Sequence, residues 1–391
     1  MNILLAPNAF KNSLSAPEVS RAIENGFLQS KLDCKIQSFP IGDGGDGTGR
    51  LMVERLSGVR EEVQAKDPLG RTITTSIGFI DTGKTAVIEM ADISGLRLLS
   101  DSQRDPLQAS SQGTGQLMRI ALDRGVQKII LCVGGSATVD GGCGILQALG
   151  MRFLDEAAQD LMSLPRQLVQ LNAIDMTLLD KRIFDTELVV LCDVDNFLLG
   201  KNGAAAVFGP QKGASHEDVL LLEAGMHKFR DIWLLQTGRD LNQVVYGGAA
   251  GGVAAGLHSF LRAQLVQGIE YFLDLTEFNE ALQKTDLLIT AEGSIDRQTL
   301  HGKGPFGVAR RAKKNNIPVI GIAGQIPLLP DTALQEYFDV LMPIGNQPED
   351  LKTSMEHTSE NLTRTAFQLG KWMRLGPIGR PLFQDNKKEN K

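Results

Sequence analysis

Asn2-Ile3-Leu4-Leu5-Ala6-Pro7-Asn8-Ala9-Phe10-Lys11-Asn12-Ser13-Leu14-Ser15-Ala16-Pro17-Glu18 is the stretch whose reading decides the fold class. A short apolar strand, Asn2–Ala6, runs into the polar loop Pro7–Ser13. A helix must follow. Ser15 and Glu18 have capping-box spacing, Pro17 stands in the first turn, and Val19, Ala22, Ile23 and Phe27 mark one face. Lys35–Ile41 reads as a second strand, residues 42–49 as a Gly/Asp loop, and Arg50–Leu56 as a helix stopped by Gly58.

The same grammar returns in the last hundred residues. Asp286–Ala291, Pro318–Ala323 and Val340–Ile344 read as strands. Pro305–Lys314, Thr332–Tyr337 and a long Glu349–Met373 segment read as helices, with a polar loop at 292–304. Strand–loop–helix repetition predicts a parallel sheet covered on both faces. Two N-terminal and three C-terminal strands suffice for a five-stranded flavodoxin-like sheet. Between them, Thr72–Ile80 and Thr85–Met90 read as a hairpin, Lys128–Val133 and Glu187–Cys192 as apolar strands, and 114–124, 142–149 and 216–235 as helices. The expected architecture is α/β with two domains: a flavodoxin/Rossmann-like parallel-sheet domain, 1–58 plus 283–375, interrupted by a second mixed α/β domain, 59–282. A disordered tail is expected at 376–391.

Composition bounds the class. The chain has 391 residues, a net charge of −6 and 42% apolar residues, within the ordinary soluble range. The acidic balance and sparse aromatics speak against nucleic-acid binding. No apolar run suits a membrane span, and the start does not read as a signal peptide, so a cytoplasmic protein is expected. Cys34, Cys132, Cys143 and Cys192 are spread along the chain and read as free thiols. The five histidines have no paired spacing, which removes a His/Cys metal site. Glycine is the outlier, 42 residues where average usage predicts about 27.

Two glycine spellings are decoys. Residues 78–85, Gly-Phe-Ile-Asp-Thr-Gly-Lys-Thr, match a P-loop pattern, but β-like flanks make Asp81–Lys84 a hairpin turn. Gly42-Asp43-Gly44-Gly45-Asp46-Gly47 matches a dinucleotide fingerprint, yet its two carboxylates repel a bare pyrophosphate. That loop suits metal–phosphate or hydroxyl binding, or a capped turn. Gly134–Gly144 follows a strand and opens a helix, the arrangement of an anion site built from N–H groups. Gly247–Gly256 carries no hydrogen-bonding side chains and is either a backbone approach to a ligand or close helix packing. Asp193 and Asp195 end one apolar strand. Glu292-Gly293-Ser294-Ile295-Asp296 ends another and leads to Lys303, and Lys212 lies among turn-formers. Acids and lysines on glycine loops at strand ends point to phosphoryl transfer with Mg²⁺.

These stretches carry a resemblance. Ala6–Ser15, Asp43–Thr48, Gly134–Gly144, Cys192–Asn196, Val207–Ala214, Ala249–Gly252 and Glu292–Asp296 make the chain resemble the glycerate kinase family, glycerate 2-kinase type, to about Leu375. The resemblance implies an ATP- and Mg²⁺-dependent kinase that turns D-glycerate into 2-phosphoglycerate in a cleft between two α/β domains. On that expectation Asp193 accepts the hydroxyl proton, with Asp296 second. Lys11, Lys212 and Lys303 meet carboxylate or phosphate charge. Asp43 and Glu292 are the metal candidates, and Asp43, Asp46, Gly134, Gly135, Ser136, Asp140 and Ser294 bind substrate or phosphate. Departures from the family pattern stand at Asn8 (Asp in the family), Val139 (Asn), Ser294 (Arg) and Phe197 (Pro). They keep open a catalytically silent metabolite-binding homologue, beside a dinucleotide-dependent dehydrogenase.

Overall fold

In the computed structural model, which describes residues 1–375, two parallel-cored sheets stand side by side with helices before, between and behind them. The first sheet contains Asn2–Leu5, Lys35–Ser38, Leu287–Ser294, Val319–Gln325 and Val340–Pro343, every pair parallel. Numbered within that sheet, the strands lie in the flavodoxin order 2-1-3-4-5. Alternation explains the layering. Ile3 and Leu5 face the helices Ala16–Ser30 and Thr358–Arg374, while Leu4 faces a core shared with the second sheet. The two outer helices approach closely at Gly26, where a Cβ would stand 2.3 Å from the Thr363 carbonyl oxygen. The capping box at Ser15 forms as the spacing predicts, with the Ser15 amide donating to Glu18 at 2.8 Å.

The second sheet runs Gln264–Gln267, Glu187–Cys192, Lys128–Cys132, Thr85–Glu89, Thr72–Ile80, Val59–Lys66. Its first four strands are parallel, and the last two are antiparallel additions at one edge. The hairpin reading of the Gly-Lys-Thr stretch holds. Asp81–Gly83 is a tight turn, and Gly78 pairs antiparallel with Val87. The edge strand Val59–Lys66 and the short Gln264–Gln267 strand are additions to the sequence reading. The final helix also differs, because it breaks at His357 into Leu351–Glu356 and Thr358–Arg374.

Helices Thr48–Arg55, Gly268–Leu275 and Gly304–Lys314 fill the space between the sheets. Met52, Val53, Phe272 and Val308 join Leu4 and Leu288 of one sheet to Val189 and Leu191 of the other. One continuous core therefore fixes the spacing of the strand ends from both sheets. Thr48–Arg55 lies directly on the second sheet, since a Cβ on Gly78 would stand 2.3 Å from Val53. The expected tail at 376–391 lies outside the described residues.

Candidate active site

The loops that leave the carboxyl ends of both sheets converge. Pro7–Ser13 prolongs the first strand, with the Asn8 amide donating to the Ala291 carbonyl at 2.8 Å. Asn8 Nδ2 donates to Asp43 Oδ2 at 2.9 Å. The Asp43–Gly47 loop is pinned from three sides. Gly44 has φ +96°, and a Cβ there would stand 2.9 Å from the Leu191 carbonyl. The Gly134 amide donates to the Gly44 carbonyl at 3.0 Å. Gly268 presses on the Asp43 carbonyl, leaving only 2.2 Å for a Cβ. The aspartate loop is thus clamped by backbone from the second sheet's strand Glu187–Cys192, the Gly134 turn and the helix Gly268–Leu275.

This clamp brings Lys11, Asp43, Asp193 and Glu292 into one charge cluster. Desolvation pulls the Lys11 pKa down, but the charges of Asp43, Asp193, Glu292 and Asp46 more than reverse it and hold the ammonium above its ordinary value. Burial, then the Asp43 charge, push Asp193 up against the pull of Lys11 and Lys212. Glu292 is 5% exposed, and burial followed by the Asp43 charge raise it to about 7, with Lys303 and Lys11 opposing. Its Oε2 is buried with no hydrogen-bond partner among the described residues. An orphaned carboxylate oxygen beside a second carboxylate is an oxygen donor set suited to a hard divalent cation, so Asp43 and Glu292 fit Mg²⁺.

Lys212 lies deeper. It is 3% exposed, and its Nζ donates to Ser136 Oγ at 2.9 Å and to the Thr138 carbonyl at 2.8 Å. Burial lowers its pKa to about 7 against the pull of Asp140 and Asp193.

The Gly134–Gly144 loop differs from an open anion nest. Asp140 turns inward and accepts from Ser111 N at 2.8 Å, Ser111 Oγ at 2.7 Å, Gly142 N at 3.0 Å and Gly144 N at 3.2 Å. The protein's own carboxylate fills the place an anion would take, so Asp140 holds the loop together. Gly134, Ala137 and Gly141 likewise give their amides to protein carbonyls. Gly247–Gly256 resolves to close packing: a Cβ on Gly251 would stand 2.0 Å from the Thr138 carbonyl, and one on Gly256 2.1 Å from that of Gly141.

Of the remaining expected residues, Asp46 leans outward to Arg97 at 2.9 Å. Asp296 caps the turn Arg297–His301 by accepting from Gln298 N at 2.8 Å, and Ser294 Oγ stands 3.4 Å from its Oδ2. Lys303 stands at the position just before the helix Gly304–Lys314 and lies near enough to Glu292 to affect its charge. Glu89 was not singled out from the sequence. It is buried at the end of Thr85–Glu89, and it accepts from the Gly49 and Arg50 amides at the start of Thr48–Arg55. The available signal was an acid terminating an apolar strand in a parallel sheet. Beside it, Asp92 and Asp46 share Arg97.

Among the described residues no helix is long and apolar enough to cross a membrane. Cys132, Cys143 and Cys192 are buried and free, and Cys34 is partly buried and free. The family model of the glycerate kinase family matches residues 3–374. A glycerate kinase from Bacillus subtilis strain 168 is 41% identical over 375 residues, which span 96% of this chain and 98% of that one. A glycerate 2-kinase from Escherichia coli K12 is 40% identical over 372 residues, 93% of this chain and 98% of that one. A crystal structure described as a glycerate kinase 2 from Salmonella typhimurium LT2 is 42% identical and superposes with a TM-score of 0.79 over 96% of this chain and 99% of that one. A cluster of acids and lysines at the strand ends of two sheets, and relatives of this closeness over the whole length, lead to one conclusion: the chain is a kinase and belongs to the glycerate kinase family.

Proposed function

We propose that this kinase transfers the γ-phosphoryl group of Mg²⁺-ATP to the 2-hydroxyl of D-glycerate, yielding 2-phosphoglycerate. The observation that carries this reading is Lys11 set among Asp43, Asp193 and Glu292, groups drawn from loops at the strand ends of both sheets. Phosphoryl transfer asks a protein chiefly to position reactants and neutralise charge. Lys11 supplies the fixed positive charge for the glycerate carboxylate or the transferring phosphoryl group, and Lys303 supplies a second at the helix start. Asp193 faces the same space and accepts the hydroxyl proton, with Asp296 as the second choice for that role. Asp43 and Glu292 hold Mg²⁺, which when bound offsets phosphate charge. Gly135, Ser136 and Ser294 form the polar walls, Asp46 stands at the rim beside Arg97, and Gly134, Asp140 and Lys212 brace them.

Several carboxylates around one lysine leave the cleft short of positive charge, so the reading requires a divalent cation. The test is ADP release from ATP with Mg²⁺ against a panel of glycerate, lactate, tartronate and sugar acids. Turnover is expected with D-glycerate and is lost with EDTA. No ADP above background with any acid would defeat the proposal.

A further inference from the structure

A recess lies beside the charge cluster, at the end of the strand that carries Glu292. It has a volume of about 350 Å³ and opens between the turn after Leu287–Ser294 and the loop after Val319–Gln325. These strands are parallel neighbours, with Ser294 paired to Gln325 and the Ile295 amide donating to the Gln325 carbonyl at 3.0 Å. The floor is therefore the carboxyl edge of the sheet, where open α/β folds take ligands.

Its chemistry differs from that of the neighbouring cluster. Ile295, Ile326 and Pro327 supply apolar surface, and Gln298 and Gln325 supply amides that both donate and accept. Arg297 and Asp331 pair at 2.6 Å and cancel as charges at the rim, and the one carboxylate left in the lining, Asp296, is turned to the Gln298 amide at 2.8 Å. Asp331 is fixed further by accepting from Ala333 N at 3.0 Å. A hydroxy acid, small and anionic, is drawn to Lys11 and gains little here. A flat, uncharged, hydrogen-bonding group fits better. Ligand pockets run from about 300 to 1,000 Å³, so this recess suits part of a nucleotide rather than a whole one.

We infer that this recess binds the nucleoside, base and ribose, of the phosphoryl donor. The inference rests on the nucleotide-dependent reading above and adds where the donor lies. Glu292 precedes Ser294 by two residues on the same strand, about 7 Å at the usual rise. A phosphate chain leaving the recess along that strand passes Lys303 and enters the Lys11 cluster. Donor and acceptor then approach from opposite sides, the nucleoside from the first sheet's edge and the hydroxy acid between the sheets.

Titration calorimetry with ADP and Mg²⁺ tests this, using Gln325→Trp to fill the recess from one wall and Gln298→Trp from the other. Neither residue belongs to the charge cluster, and melting curves check that each variant folds. The expected result is ADP affinity at least tenfold weaker in a folded variant, with KM for ATP rising in step and KM for glycerate within twofold of wild type. Unchanged ADP affinity in a folded variant, a loss falling on glycerate instead, or no ADP binding by the wild type overturns the inference. Wild-type protein that binds ADP, loses it on filling the recess, and phosphorylates no hydroxy acid upholds the nucleoside site while defeating the kinase reading.

Discussion

Asn8 and Asp43, 35 residues apart on separate loops, are joined by a hydrogen bond from Nδ2 to Oδ2 of 2.9 Å. Asn8 Oδ1 in turn accepts from the Ala9 amide at 2.9 Å, which fixes the orientation of its amide group. An aspartate at position 8 would set a second carboxylate against Asp43. In this chain the position donates to Asp43 instead of repelling it.

Asn8→Ala removes a bond to a charged acceptor and costs about 1–3 kcal/mol, read by urea denaturation. Asn8→Asp sets a second carboxylate against Asp43. It is expected to melt below wild type without divalent cation and to gain more from added Mg²⁺ than wild type does. Equal Mg²⁺ gains in both would remove Asp43 from the metal site.

Asp140 satisfies four donors, two in the Gly134–Gly144 loop and two on Ser111. Asp140→Ala leaves those donors buried and unpaired, so a loss of at least about 3 kcal/mol is expected. A denaturation midpoint near wild type would show that the loop does not depend on this carboxylate.

Lys212 gives stability a defined pH slope. Its folded pKa is lowered to about 7 from 10.5. Between those values the unfolded chain binds a proton that the folded chain does not, so this group's contribution to stability rises with pH and is lost as pH falls through 7. Lys212→Met removes the slope. The stability difference between wild type and variant is expected to shift in favour of wild type from pH 7 to 9. A constant difference would contradict the burial argument.

Glu89 works in the opposite sense. Burial, then Asp92, raise its folded pKa from 4.5 to about 7. The folded chain holds the extra proton in that window, so this contribution is present at low pH and lost as pH rises through 7. Glu89→Gln keeps an acceptor for the Gly49 and Arg50 amides, and its stability is expected to be flatter than wild type between pH 5 and 7.

The repeated strand–loop–helix units were legible because their strands are apolar and their helices are capped locally, as at Ser15 and Ser215. The number of strands in the first sheet followed from counting those units. Val59–Lys66 was not legible. It is an edge strand whose covered positions are Glu61, Val63 and Ala65, with only Ala65 buried, so the alternation carries too few apolar residues to stand out in Val-Arg-Glu-Glu-Val-Gln-Ala-Lys. The break at His357 has no glycine or proline to announce it.

The site was legible as residue types at strand ends, since Lys11, Asp43, Asp193 and Glu292 do meet. What each side chain faces was not. Asp140 reads from sequence like a ligand-binding acid, and only the fold shows Ser111, 29 residues away, occupying it. The glycines of 247–256 likewise needed the position of Thr138 and Gly141 before their packing role emerged.

The central claim is a phosphoryl group on the 2-hydroxyl of D-glycerate. Phosphorus NMR of the protein incubated with D-glycerate, ATP and Mg²⁺ reads it directly. The account predicts an ATP-dependent signal of 2-phosphoglycerate that grows with ADP and that Lys11→Met abolishes. A 3-phosphoglycerate signal, or ATP left intact beside unmodified glycerate, would contradict it.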